Sequence, residues 1–129
     1  MIARDDRLRR NDEFDRVRSQ GRSYSARHLV LVVLPNELSQ NRYGFAAGKR
    51  LGNAVRRNRA KRLMREAIRA EQPHLTPGFD VVIIARNSFP QDLKLDTVAE
   101  QLGSLLTKSG LRVVPSETSD TSTEPEASG

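Results

Sequence analysis

GKRLGNAVRRNRAKRLMREAIR, residues 48–69, is the stretch around which the chain is organised. It carries nine Lys or Arg (Lys49, Arg50, Arg56, Arg57, Arg59, Lys61, Arg62, Arg65 and Arg69) against one acid, Glu66. A helix so dense in positive charge repels itself unless a polyanion lies beside it, and the obvious polyanion is a phosphate backbone. Counted at about 100° per residue, Ala60, Leu63, Met64, Ala67 and Ile68 fall at i, i+3, i+4, i+7 and i+8 on one apolar stripe. Asn58, Arg62, Arg65 and Arg69 fall nearly opposite, with Lys61 flanking them. The helix therefore has a core face and a cationic ridge. Asn53 offers its N-cap and Pro73 limits its far end, which predicts a helix running to about Ala70. Arg56 and Arg57 sit in the first turn, where positive charge opposes the helix dipole. With Arg59 they are the residues for which the helix itself supplies no structural reason. A merely solvated face alternates signs and gains from acid–base pairs. Here Arg62–Glu66 is the single i, i+4 pair expected, in the less favourable order.

Working outward, Gly48 and Gly52 bracket Lys49-Arg50-Leu51. Glycines permit a close backbone approach to a ligand, but the spacing and terminal Lys-Ser/Thr of a nucleotide-binding loop are missing, which excludes an NTPase. Arg42–Ala47 (RYGFAA) and Phe79–Arg86 (FDVVIIAR) flank the helix as strands. Strand, helix, strand makes a βαβ unit with parallel strands, and the uninterrupted Val81–Ala85 run places the second strand centrally. Upstream, HLVLVVL ends at Pro35-Asn36 and predicts a strand over 29–34, covered at least in part on both faces. The short connection to Arg42 predicts that these two strands run antiparallel. A short strand is expected near Arg22–Tyr24. Asn11 caps a helix over 12–20 with Phe14 and Val17 on its inner face, and Gly21 takes the left-handed position beyond it. Phe14 reads first as a core anchor. Leu95, Val98, Ala99, Leu102, Leu105 and Leu106 define an amphipathic helix over 94–108.

The chain of 129 residues has no cysteine, which removes disulfides, thiolate metal sites and a Cys nucleophile. Residues 1–114 hold all 22 basic residues and 12 of the 16 acids, net +10, leaving 115–129 at −4. The expectation is one domain over 1–114, opening with an extended arm at 1–10, and a disordered acidic tail at 115–129. No signal-peptide pattern or membrane-length apolar run is visible. Extended base stacking is not expected from six aromatic residues. His28 and His74 lack carboxylate partners and read as surface or strand-edge residues. Asp80 and Asp92 read as turn or cap residues, and no metal-ligand or acid–base spacing occurs. These residues describe a nucleic-acid-binding module without an active site. On charge alone, a structural RNA-binding protein of ribosomal type and a DNA-binding regulator are the alternatives.

Lys49, Gly52-Asn53-Ala54-Val55, Arg57-Asn58-Arg59, Lys61-Arg62 and Arg65 resemble the signature of the bacterial ribonuclease P protein component. The likeness spans roughly Arg7–Gly110: Leu8-Arg9-Arg10-Asn11 through Phe14 and Val17 is similar to the family's first helix, and Asp80–Arg86 to its central strand. The resemblance implies an α/β (α+β) two-layer sandwich with a four-stranded mixed sheet and three helices. It also implies a left-handed βαβ crossover, against the usual right-handed rule. The partners implied are a catalytic RNA and the 5′ leader of precursor tRNA in the cytoplasm, with neither a membrane nor a small-molecule substrate. Mg²⁺, held mainly by the RNA, supports phosphodiester hydrolysis, and no organic cofactor is implied. Lys49, Arg57, Asn58, Arg59, Lys61, Arg62 and Arg65 become RNA contacts by position, and Arg50, Arg56 and Arg69 join them on charge. Phe14, Arg18 and Val32 become the leader cleft. Arg18 and Val32 stand where some members carry aromatic rings, which favours an electrostatic leader contact through Arg18 over stacking.

Overall fold

The computed structural model describes residues 11–112. The expected arm at 1–10 and tail at 115–129 lie outside these residues. In chain order the elements are α1 (Asn11–Gln20), β1 (Arg22–Ser25), β2 (Leu29–Pro35), β3 (Arg42–Ala47), α2 (Ala54–Glu71), β4 (Phe79–Ala85) and α3 (Leu95–Ser109). The sheet order is β1-β2-β4-β3, giving the expected α+β fold of a four-stranded mixed sheet and three helices.

β4 is central because its side chains are apolar on both faces. It pairs antiparallel with β2, from Leu29↔Ala85 to Pro35↔Phe79, and parallel with β3, from Arg42↔Asp80 to Ala47↔Ala85. β2 and β3 thus run in opposite directions, as the short 36–41 connection suggested. They are not neighbours, since β4 is inserted between them. Two strand spacings amount to only about 10 Å, which six residues cross easily.

Alternation along the strands divides the core. Leu29, Leu31, Val33, Tyr43, Phe45, Val81 and Ile83 face α2 and α3, where they meet Met64, Ile68, Leu102 and Leu106 in the main cluster. Val32 and Val82 face the other way and are covered by Val17 of α1, with Phe14, Val30, Leu34 and Ile84 at the margin. α1 ends on Gly21, whose N–H donates to the Val17 carbonyl at 2.8 Å. Gly21 is not left-handed, contrary to expectation. A Cβ there would lie 2.6 Å from the Val17 oxygen and 2.7 Å from the Val33 oxygen, so glycine is required by the close approach of helix and strand.

Asp80 is neither a turn nor a cap residue. It lies on β4, fully buried, and its carboxylate accepts from Arg42 Nε and Nη2 (2.8 Å each), Arg16 Nη2 (3.0 Å) and Asn36 Nδ2 (2.9 Å). Arg42 also reaches Glu13 on α1 at 3.1 Å. Burial pushes the Asp80 carboxyl up, but hydrogen bonds from Arg42 and Asn36 and the charges of Arg42 and Arg16 outweigh it, so its pKa lies below the ordinary value. A carboxyl depressed in the folded state adds stability that is present above the unfolded pKa of about 3.9 and is lost as pH falls through the folded value. Asp80→Asn should therefore destabilise by about 2–3 kcal/mol at pH 7, less than a wholly buried pair because Arg16 and Arg42 still reach water. The variant should also lose stability less steeply on acidification below about pH 4. Urea unfolding across pH measures both, and an unchanged acid slope would contradict the assignment.

Candidate nucleic-acid interface

The Asn53 side chain accepts from the Arg56 N–H at 3.0 Å, forming the expected N-cap of α2. Ala60, Met64, Ala67 and Ile68 are buried and Leu63 is half-buried. On the opposite side Asn58, Arg62 and Arg69 are exposed. Glu66 pairs with Arg69 at 3.2 Å and not with Arg62, so the expected i, i+4 pair is replaced by an i, i+3 one. Lys49 and Arg50 stand exposed on a 3-10 turn (Lys49–Leu51) before the helix.

The other cations of α2 are not equivalent. Arg59 has the structural partner that helix geometry alone did not supply: its Nη1 donates to the Gln91 carbonyl at 2.7 Å and its Nη2 to that of Leu93 at 2.9 Å. It ties the β4–α3 connection onto α2. Arg56 is half-buried and lies over Gly52, whose φ of +140° and lack of a Cβ allow that approach; a Cβ would sit 2.7 Å from Arg56 Cδ. Arg57 is half-buried near the Gly52 carbonyl, with Nη1 at 3.5 Å. Arg65 turns toward β3, its guanidinium 5.2 Å from the centre of the Phe45 ring.

Arg65 and Lys61 form one wall of a groove of about 630 Å³ along β3. Phe14, Asp15 and Arg18 of α1 form the other wall, and residues 43–47 form its floor. β3 is an edge strand: among the described residues no other strand pairs with its side away from β4. The floor is shallow at Gly44, where an added Cβ would lie 2.6 Å from Phe14 Cζ. Phe14 thus both marks the small core and lines the groove. Val32 is not among the lining residues; it is 4% exposed, beneath α1. The groove carries Arg18, Lys61 and Arg65 against Asp15, an open cationic channel suited to an extended polyanion. His28 is buried, not a surface residue, and its Nδ1 meets Ser88 Oγ at 3.2 Å instead of a carboxylate. Among the described residues no group of three or more His, Cys, Asp or Glu could hold a metal ion, and no helix is long and apolar enough to cross a membrane.

Residues 2–110 match the Ribonuclease P family model. The chain belongs to the ribonuclease P protein family. The ribonuclease P protein component of Pelotomaculum thermopropionicum is 43% identical over 101 residues, covering 78% of this chain and 89% of that protein. That of Chloroflexus aurantiacus is 38% identical over 115 residues, covering 89% and 84%. The solved ribonuclease P protein of Staphylococcus aureus superposes with a TM-score of 0.75 at 30% identity, over 83% of this chain and 97% of that one. The Thermotoga maritima protein gives 0.72 at 30% identity, over 79% and 96%. Membership makes the chain a subunit of an endoribonuclease with an RNA partner, which decides against the ribosomal and DNA-regulator alternatives.

Gly44→Ala tests the contact between groove floor and α1. It should cost about 1–3 kcal/mol through overpacking against the Phe14 ring, and Phe14→Leu in the same background should recover part of the loss. Strictly additive effects in thermal or urea unfolding would show that ring and glycine are not in contact.

Proposed function

We propose that the chain binds the catalytic RNA of ribonuclease P through the exposed cations of α2 and its leading turn, and holds the 5′ leader of precursor tRNA in the groove along β3. The observation that carries this reading is the groove itself, which runs along β3 and is walled by Arg18, Lys61 and Arg65. Lys49, Arg50, Asn58, Arg62 and Arg69 point outward and suit phosphates of the folded RNA. Arg56 and Arg57 flank them at the N-terminus of α2, while Arg59 acts chiefly by holding 91–93.

The protein's contribution is neutralisation and positioning. Cations along the groove lower the repulsion between leader and RNA subunit and fix the leader's path. That path carries the scissile bond toward the RNA's reactive centre. Phe45 is capped by Arg65 and Phe14 lies against Gly44, so the groove offers charge more than stacking surface. Mg²⁺, which this reading places on the RNA, would supply the activation of water for hydrolysis. The cytoplasm, where precursor tRNA is processed, is the compartment this reading requires.

Reconstitution with the cognate RNA at low Mg²⁺ tests the proposal. Added protein should accelerate cleavage of precursor tRNA, and an unchanged rate overturns it. Arg62→Gln with Arg65→Gln should lower the salt slope of precursor tRNA binding and holoenzyme assembly taken together by about 1.4–1.8, the sum of one phosphate contact to the catalytic RNA and one to the leader. Arg18→Gln should weaken binding of precursor carrying a leader while leaving mature tRNA unaffected. Equal weakening of both would remove Arg18 from the leader path.

A further inference from the structure

The end of the sheet at which β3 and β4 finish carries cations that neither α2 nor the groove uses. Ala85 pairs with Leu29 on one side and Ala47 on the other. Arg86, Arg27 and Lys49 therefore follow or precede three neighbouring strand ends, across about 10 Å. Arg27 and Arg86 are exposed.

The backbone of Arg27 and both the backbone and the guanidinium of Arg86 are tied into one unit. Arg86 N–H donates to the His28 carbonyl (2.9 Å) and Arg86 Nη1 to the Ala26 carbonyl (2.9 Å). Ser88 Oγ donates to the Arg27 carbonyl (2.9 Å) and, its one proton so used, accepts from His28 Nδ1–H at 3.2 Å. The His28 N–H donates to Gln101 Oε1 at 2.9 Å, anchoring the unit on α3. Burial and then the Arg27 charge, against the Ser88 bond and with Arg86 adding to the lowering, hold the His28 pKa below its usual value, so the ring is the neutral donor this network needs. The β1–β2 turn and the β4–α3 connection are thus joined by four hydrogen bonds.

Nothing in the described protein neutralises this rim. The segments that meet there, 22–36, 42–65 and 81–91, contain no Asp or Glu. The adjoining connection and helix carry Asp92, Asp96 and Glu100, and none forms an ion pair with Arg27 or Arg86 among the described residues. The aromatic residue of the connection, Phe89, is buried at 3% exposure, so the rim offers charge without a base-stacking ring. A cationic rim on a fixed backbone, without acidic partners or stacking groups, suits a folded phosphate backbone more than splayed single-stranded bases.

We propose that Arg27 and Arg86 form a second phosphate-binding patch, continuous with Lys49 and Arg50, that carries the RNA subunit's backbone around the end of the sheet. The inference rests on the reading of the chain as a ribonuclease P subunit. It adds a contact surface outside both the basic helix and the groove.

Equilibrium binding of the full-length protein to the cognate RNA subunit alone, without precursor tRNA, tests it between 50 and 200 mM KCl. Relative to wild type, Arg27→Ala/Arg86→Ala should bind more weakly, with an advantage for wild type about tenfold larger at 50 than at 200 mM, as expected for two lost phosphate contacts. Arg27→Lys/Arg86→Lys should restore most of the salt dependence, which a loss of the Arg86–Ala26 bond alone would not predict. Arg22→Ala, at the opposite end of β1, should match wild type. Wild-type binding with an unchanged slope in the double alanine variant overturns this inference alone, as does a loss confined to precursor binding. A wild-type protein that fails to bind the RNA subunit overturns the parent reading as well.

Discussion

Asp80 is the constraint on which the arrangement of the molecule depends. Its carboxylate, without solvent contact, gathers Arg42 from β3, Arg16 from α1 and Asn36 from the β2–β3 connection onto the central strand. A buried carboxylate is unfavourable unless its lone pairs are matched by charged donors in good geometry. Three elements must therefore arrive together before Asp80 is satisfied. The apolar contact of α1 with the sheet is small, centred on Val17, Val32 and Val82. Without the ionic hub, α1 would be held mainly by that cluster, and the groove wall it supplies would be poorly fixed.

The basic helix resolves its charge problem by unequal use of its side chains. Arg59 spends its guanidinium on two carbonyls, Arg65 lies over Phe45, and Arg69 shares Glu66. Carbonyl and ring contacts leave the net charge intact while fixing its position. A flexible cation must be ordered when it meets a phosphate, at a cost in side-chain entropy. Arg59 and Arg65 have already met that cost in folding. The exposed Asn58 and Arg62 remain adaptable.

Much of this was legible in the sequence because it followed from periodicity. The spacing of Ala60, Met64, Ala67 and Ile68 located the inner face of α2, and the Val81–Ala85 run located the central strand. The partners of Arg59 were not legible, since they are backbone carbonyls of a connection more than thirty residues away. Asp80 was misread for a similar reason: a lone acid before an apolar run is locally a cap, and only the parallel register Arg42↔Asp80 reveals the pair. Gly21 looked like a helix terminator, whereas its role is set by a carbonyl of β2. The insertion of β4 between β2 and β3 escaped notice because a short connection constrains direction more than adjacency. In each case the missing term was a long-range contact.

The position of β3 at the edge of the sheet gives these features a common logic. An edge strand invites pairing with another chain, and proteins usually blunt it with charge, bulges or a covering element. Here α1 covers it only in part, and Arg18, Lys61 and Arg65 stand along the remaining opening. A second copy of the protein brought edge to edge would set these cations against their own kind. A polyanionic strand meets no such barrier. The charges that oppose edge-to-edge self-association are therefore the same charges on which the proposed leader path relies. Phe14 pressed against Gly44 keeps the floor of the groove low, as the proposed path along the strand requires.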